Sequence, residues 1–330
     1  MASVEVRDAD PADALAFLAR LEYASGVPPV DEDERRRLAG LPPIRDQGWH
    51  WDAHLADAGG EPVAYAGIRT PDGAGGSEAG CAGRIDLAFD RARPDAQAAL
   101  VAMLGHIRFH ARAVADVDAA AVDAHAAAPC GPVEAWLRGA TAEDLATATH
   151  AGFHETRRLH VLGVTADAIA AHVPQAPSIP DGLRLRTFDA GAPGDADAAA
   201  VVRLLTRAYA SSSRAPAGGF VQRFPVLRAA DWFRAEDLLL LDDVTSGELR
   251  ALHWMKRRGG GTGEVYNLAV DPSAQGRGYG ALLLDAGLRH LVAAGSHEVV
   301  LWVDAANAPA AALYRSRGFT GRWDDVSLAG

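Results

Sequence analysis

The densest chemistry in the chain lies between Glu264 and Gly280. Glu264-Val-Tyr-Asn-Leu-Ala-Val-Asp271 reads as a strand from its β-branched and aromatic content. Pro272-Ser-Ala-Gln-Gly-Arg-Gly-Tyr-Gly280 follows it, and a helix over about 281–294 then puts Leu284, Leu288, Leu291 and Val292 on one apolar stripe. A glycine-rich turn between strand and helix leaves backbone N–H groups unpaired and lets a ligand approach closely. The helix N-terminus adds partial positive charge, which suits a pyrophosphate. Gln275, Gly276, Arg277, Gly278, Tyr279 and Gly280 are the candidate cradle, with Arg277 supplying a full charge. Dinucleotide-binding loops look similar, and the next strand, Glu298–Val303, ends at Asp304, near where a ribose-binding acid would stand. Only 50 residues follow Gly280, too few for the remaining strands of a dinucleotide sheet, so that alternative is the weaker one.

These residues need a scaffold, and the chain carries its landmarks twice. Val4–Arg7 and Leu183–Arg186 alternate as strands and lead into the helical patterns Ala14–Ala24 and Ala198–Ala210. Arg84-Ile-Asp-Leu-Ala-Phe-Asp90 parallels Val265–Asp271, and Ala151-Gly-Phe153 parallels Arg317-Gly-Phe319. Four landmarks in the same order indicate a duplicated domain. Three prolines within Val173–Gly182 exclude helix and central strand there. The expected division is therefore a domain over 1–172, a linker over 173–182 and a second domain over 183–330. Each half runs strand–helix, strands, then strand–helix–strand–helix–strand, a mixed α/β pattern with one central sheet.

Composition narrows the function further. Hydrophobic residues make up 49% and charged ones 23%, a globular balance. A net charge of −11 argues against a sequence-independent nucleic-acid binder. No polybasic patch or long apolar run suggests a membrane, and the acid-bearing N-terminus lacks a signal-peptide core, so a cytoplasmic protein is expected. Cys81 and Cys130 are too few and too far apart for a disulfide framework or a zinc site. His50/His54 and His106/His110 are i,i+4 pairs that would share a helix face, but no third ligand is placed by spacing, so no metal is expected. Lys256 is the one lysine beside 31 arginines. As a compact charge it can do what a guanidinium cannot.

Val270-Asp-Pro-Ser-Ala-Gln-Gly-Arg-Gly-Tyr-Gly280 resembles the coenzyme A pyrophosphate loop of the GNAT acetyltransferases. Asp304-Ala-Ala-Asn-Ala-Pro-Ala-Ala-Ala-Leu-Tyr-Arg-Ser-Arg-Gly-Phe319 resembles that family's last helix and its Gly-Phe turn. The resemblance implies two tandem GNAT-like domains, each a mixed, splayed central sheet flanked by helices. It also implies acetyl-CoA as co-substrate in the splay, and direct acetyl transfer to an amine without an acyl-enzyme. Amide formation needs the amine deprotonated, the carbonyl oxygen stabilised and the departing thiolate protonated. Glu264 is the candidate base, and backbone N–H groups of Leu268, Ala269 and Val270 would polarise the thioester. Asn307 and Tyr314 are seven residues apart and share a helix face. Asn307 would cap the helix and touch the pantetheine arm, while Tyr314 would be the acid. The competing readings are an exposed strand-end acid for Glu264 and core packing for Tyr314.

The tandem arrangement, with His253-Trp-Met-Lys256, Gly263-Glu-Val-Tyr266 and Val300-Leu-Trp-Val-Asp-Ala-Ala-Asn307, is similar to the mycothiol synthase family. Gly26-Val-Pro-Pro-Val-Asp-Glu32 and Gly182–Thr187 also fit it. That similarity implies a small-molecule acceptor, the cysteinyl amine of cysteinyl-glucosaminyl-inositol, with nothing asking for more than a monomer. It makes Glu32, Lys256, Glu264 and Trp302 the substrate contacts. Another small amine, or a non-catalytic acyl-CoA sensor, is the alternative. Three departures stand out. Ala215-Pro-Ala-Gly-Gly-Phe220 lacks the family's acid, Trp302 replaces a tyrosine, and the first-domain loop Asp90-Arg-Ala-Arg-Pro-Asp-Ala-Gln97 has no glycine. Gly83 stands where the second domain has Glu264, so the first domain is expected to be catalytically silent and to line the acceptor cleft.

Overall fold

A computed structural model describes residues 3–41, 49–71, 83–121, 133–174, 176, 178–210 and 219–330. Cys81, Cys130 and 215–218 lie outside them. In chain order the elements begin β1 (Val4–Asp8), α1 (Pro11–Ser25), α2 (Glu32–Leu38), β2 (Trp49–Ala58), β3 (Glu61–Pro71) and β4 (Gly83–Phe89). Next come α3 (Ala96–Ala121), β5 (Val133–Leu137), α4 (Ala142–His150), β6 (His154–Thr165) and α5 (Ala166–His172). The second half holds β7 (Leu183–Thr187), α6 (Ala196–Ala208), α7 (Gly219–Arg228), β8 (Leu238–Asp243) and β9 (Leu249–Arg257). It closes with β10 (Thr262–Val270), α8 (Tyr279–Ala293), β11 (Glu298–Asp304), α9 (Ala308–Arg315) and β12 (Thr320–Ala329). Among the described residues no helix is long and apolar enough to cross a membrane.

The chain divides into two compact units: unit 1 is Met1–Leu159 with Trp323–Gly330, and unit 2 is His160–Arg322. This differs from a division in the proline-rich stretch. Prolines mark where backbone cannot be regular, whereas strand pairing and core contacts decide the units. Val173, at the start of that stretch, is buried in the core of unit 2. At the other end of the chain, Val326–Ala329 of β12 pair antiparallel with Leu137–Glu134 of β5, in unit 1.

In unit 1 the strand order is β1-β2-β3-β4-β5-β12, antiparallel except for the β4–β5 pair. Successive residues of a strand face opposite sides of the sheet. Accordingly Leu55 packs with Phe17 and Leu18 of α1, and Ala56 with Leu100, Met103 and Leu104 of α3. Helix α1 is opened by Asp10, whose side chain accepts the N–H groups of Ala12 and Asp13, and closed by Gly26 in the left-handed region. Helix α2 is pinned by the fully buried Glu34. Its carboxyl fills the notch that Gly67 leaves on β3 and accepts the Trp51 indole N–H at 3.0 Å and the Tyr65 hydroxyl. Burial pushes the Glu34 carboxyl up to about 7. His50 and His54, expected on a helix face, instead lie on β2, because the stretch alternates with period two. The His54 ring meets that of His106 on α3 edge-on at 4.5 Å.

In unit 2 the order is β6-β11-β10-β9-β8-β7, with β7, β8, β9 and β10 antiparallel and β10–β11 parallel. Helix α8 buries Leu283, Leu284, Leu288 and Leu291 against Leu239, Leu241, Met255 and Leu301. Each such side chain contributes roughly 1.5–3 kcal/mol. Beneath α8, His253 of β9 is fully buried and bonds through Nδ1 to the Leu283 carbonyl at 2.9 Å. Desolvation lowers its pKa to about 4, so the ring is neutral and Nδ1 is the donor. A Cβ at Gly287 would stand 2.1 Å from Nδ1 of His253 and 2.9 Å from the Met255 sulfur. Gly287→Ala, which in an open helix would gain up to about 1 kcal/mol, is therefore expected to cost about 1–3 kcal/mol in urea unfolding. A stabilised variant would mean that His253 can move aside freely.

Candidate active site

The two strands that carry the expected chemistry part company within unit 2. β10 and β9 pair from Gly263↔Arg257 to Val270↔Ala251, but the register steps between Val265 and Asn267. Tyr266 is therefore an extra residue on β10, a β-bulge. On its other side β10 pairs in parallel with β11 at Thr262↔Glu298, Gly263↔Val299 and Glu264↔Val300, and there the ladder stops. Beyond it β10 continues to Val270 and β11 to Asp304. Main-chain groups of Val265–Val270 that face away from β9 thus have no ladder partner on β11. They can bond an extended ligand as they would bond a strand.

The far end of β10 leads into the glycine loop, which is anchored at its start. The Asp271 N–H donates to the Arg250 carbonyl at 2.8 Å, and its carboxylate accepts the Ser273 N–H at 2.9 Å and the Ser273 hydroxyl at 2.6 Å. Arg207 of α6 closes on the same carboxylate at 2.6 Å. Burial opposes ionisation of Asp271, but the Ser273 and Arg207 bonds outweigh it and hold the carboxyl below its ordinary value. Gly276 and Gly278 have φ of 76° and 81°, and a Cβ on either would meet nothing within 4 Å. Their requirement is conformational, and the space beside them is open. Gly278 is the N-cap of the 15-residue α8, and no side chain caps it. The N–H groups of its first turn can thus receive an anion, beside the exposed Gln275 and Arg277. A Cβ on Gly280 would make only ordinary contact, 3.5 Å from Val270, so packing within the chain does not demand glycine there.

The titratable residues gather at the point where the ladder stops. Glu264 is only 7% exposed, which removes the reading of it as an exposed strand-end acid. Directly opposite it in register stands Lys256, 8% exposed, with its ammonium 4.4 Å over the Trp232 ring. Trp232 belongs to an aromatic group with Trp254 and the bulged Tyr266, at ring separations of 5.0–5.8 Å. Arg258 donates from Nε to Oε2 of Glu264 at 2.8 Å, and its guanidinium lies 5.0 Å over the Trp302 ring. Asn307 caps α9 as expected, accepting the Ala310 N–H at 3.2 Å. Tyr314 is half-buried on the core of unit 2, its ring 5.8 Å from Phe319, so packing accounts for part of its role. Glu32 lies in unit 1, half-buried in the first turn of α2. Sequence reasoning missed Arg258 and Trp232. Alternation would have placed Arg258, two residues beyond Lys256, on the face of Lys256.

Unit 1 repeats this plan without the opening. The Asp90 N–H bonds to the Val63 carbonyl as that of Asp271 bonds to Arg250. Counting back along the pairs, Gly67↔Asp86 matches Trp254↔Asn267, and Ile68↔Ile85 matches Met255↔Val265, because unit 1 has no counterpart of Tyr266. Arg69↔Arg84 therefore matches Lys256↔Glu264. Gly83 was expected at the Glu264 position, and the bulge moves the match by one residue to Arg84. The β4–β5 ladder stays paired from Gly83↔Val133 through Leu87↔Leu137. The loop after β4 contains no residue in the left-handed region. Among the described residues, no group of three or more His, Cys, Asp or Glu side chains could hold a metal ion.

Comparison with known proteins agrees with this geometry. Residues 207–319 match the Acetyltransferase (GNAT) family. A mycothiol acetyltransferase of Actinosynnema mirum is 34% identical over 318 residues, covering 95% of this chain and 93% of the relative. One of Saccharopolyspora erythraea is 32% identical over 324 residues, covering 94% and 98%. Among solved structures, a GCN5-related N-acetyltransferase from Sphaerobacter thermophilus superposes with a TM-score of 0.68 at 23% identity, covering 99% of this chain and 95% of that one. A tandem GNAT protein from the clavulanic acid biosynthesis pathway gives 0.68 at 17% identity, covering 99% and 98%. These two structures are similar in fold.

Proposed function

This chain belongs to the mycothiol acetyltransferase family, and from that premise we infer that unit 2 moves acetyl from acetyl-CoA to the cysteinyl amine of cysteinyl-glucosaminyl-inositol, the last step in making mycothiol. The observation that carries the catalytic reading is the β10–β11 ladder ending at Glu264, one strand-length from an uncapped glycine loop. A pantetheine arm lying along Val265–Val270 would bring its thioester toward the Glu264 end, with the pyrophosphate on the loop.

In the proposed sequence the Glu264 carboxylate takes a proton from the ammonium of the acceptor. The freed nitrogen attacks the thioester carbonyl, forming C–N as charge collects on oxygen, where main-chain N–H groups of Leu268–Val270 stabilise it. The C–S bond then breaks, the CoA sulfur takes a proton from the Tyr314 hydroxyl, and the proton still carried by the acylated nitrogen is lost to restore the phenol, leaving the amide. Gln275–Gly280 hold the pyrophosphate, and Asn307, at the head of α9, borders the pantetheine. Lys256 is the proposed contact for acceptor hydroxyls, and Glu32 and Trp302 keep that assignment on the resemblance alone. The cytoplasm is the proposed setting and the monomer the working form.

Unit 1 is proposed to be silent. Its paired β4–β5 ladder, its loop without left-handed residues and Arg84 in the place of a base all support this. Calorimetric titration is expected to give one acetyl-CoA per chain, and two sites would overturn the silence of unit 1. The test of function is mass spectrometry of the protein incubated with acetyl-CoA and cysteinyl-glucosaminyl-inositol, beside a panel of simple amines. A single acetyl on the cysteinyl compound is expected. Acetylation of other amines alone would discard the acceptor, and binding without turnover would favour an acyl-CoA sensor.

A further inference from the structure

Glu264 has one side-chain partner among the described residues, and that partner is itself held in place. The bond runs from Arg258 Nε to Oε2 at 2.8 Å. Arg258 starts the turn between β9 and β10, and its backbone N–H donates to the Thr262 carbonyl at 2.7 Å. Gly260 and Gly261 in this turn have φ of 69° and 73°, and a Cβ on Gly261 would strike the His297 ring at 2.4 Å. The turn is thus locked against the segment that leads into β11. From it the guanidinium reaches back, with its Cζ 5.0 Å from the centroid of the Trp302 ring on β11. A guanidinium is weakly hydrated and stacks on aromatic faces, so Trp302 restricts where Arg258 can point.

We propose that Arg258 is a positioning residue for the base, and that Trp302 serves the reaction as the platform for Arg258. This rests on the reading of Glu264 as the base. Engaging Oε2 fixes the carboxylate plane and leaves Oε1 as the oxygen that takes the proton of the amine. Trp302 needs no hydroxyl for this role, so an indole does what a phenol in its place would not be required to do.

The test compares Arg258→Met, Arg258→Lys, Trp302→Leu and Trp302→Phe in steady-state acetylation of the cysteinyl acceptor, with acetyl-CoA affinity by calorimetry as the control for folding. Misplacing a reacting group by about 1 Å costs on the order of 100-fold, so Arg258→Met is expected to lower kcat by about 10–100-fold. Acetyl-CoA affinity should be retained, and Trp302→Leu should fall in the same direction. Arg258→Lys and Trp302→Phe should recover part of the loss. The double variant Arg258→Met with Trp302→Leu should be no slower than the worse single variant, because the pair acts as one device. In a Glu264→Gln background Arg258→Met should have no further effect. Wild-type kcat in Arg258→Met, additive losses in the double variant, or loss of acetyl-CoA binding along with kcat would each overturn the proposal. If Glu264→Gln itself keeps full turnover, the reading of the base fails first. A fall in Glu264→Gln with none in Arg258→Met defeats this inference alone.

Discussion

Glu264→Gln is expected to lower kcat by about 100- to 10,000-fold while leaving acetyl-CoA affinity essentially unchanged. Glutamine keeps the shape of the side chain and an oxygen for the Arg258 Nε–H, but it cannot carry away the proton of the amine. Glu264 lies at the last β10–β11 pair, before the opening in which main-chain groups would meet the pantetheine. Cofactor binding therefore does not depend on its charge. Steady-state kinetics with calorimetry on the same preparation separates the two effects. Unchanged turnover would remove Glu264 from the mechanism and leave the acceptor amine to be deprotonated by solvent. Loss of affinity along with turnover would make the residue structural.

Deleting Tyr266 should have the second largest effect, and on binding rather than on chemistry. The deletion gives β10 the uninterrupted register that β4 has in unit 1, so the β10–β11 ladder can pair past Glu264. Losing two or more main-chain bonds to the ligand, at about 1 kcal/mol each, should weaken acetyl-CoA binding by roughly 30-fold or more. The ring is also lost from its contacts with Trp232 at 5.0 Å and Trp254 at 5.3 Å, so stability will fall in any case. Tyr266→Ala supplies the comparison: it removes the ring but keeps the extra residue. Its acetyl-CoA affinity is expected to stay near wild type while its Tm drops. Equal affinity loss in both variants would assign the effect to the ring and not to the bulge.

These expectations show how unevenly the site was written into the amino-acid order. The loop was legible because backbone conformation demands glycine at Gly276 and Gly278, and a strand and a helix flank them in the sequence. Asn307 was legible because a side-chain amide three residues before a free N–H is a local device. The bulge was not, since Val265-Tyr266-Asn267 carries no proline or glycine to mark an extra residue. Missing it also displaced the match between the repeats by one position, from Arg84 to Gly83. Arg258 escaped because its role comes from β11, 44 residues further on at Trp302. The histidine pairs show the converse failure, in which i,i+4 spacing fits a helix and a strand equally well at His50 and His54. The boundary between units was hidden because it depends on long-range pairing, which leaves no local trace.

That pairing has a consequence for how the molecule is made. β12 supplies Val326 and Leu328 to the core of unit 1, and Asp325 there accepts bonds from Arg138 at 2.8 Å and the Gly139 N–H at 3.0 Å. These β12 residues leave the ribosome only after the whole of unit 2. At about 5–20 residues per second, the intervening His160–Arg322 takes roughly 10–30 s to synthesise. Throughout that interval β5 presents an edge whose partner does not yet exist, the kind of edge on which chains aggregate. Unit 1, begun before unit 2, is thus completed only after it, and its maturation is tied to finishing unit 2. Losing the last eight residues of the chain would strip a strand from unit 1, while the glycine loop and Glu264 would remain in a unit that does not contain those residues.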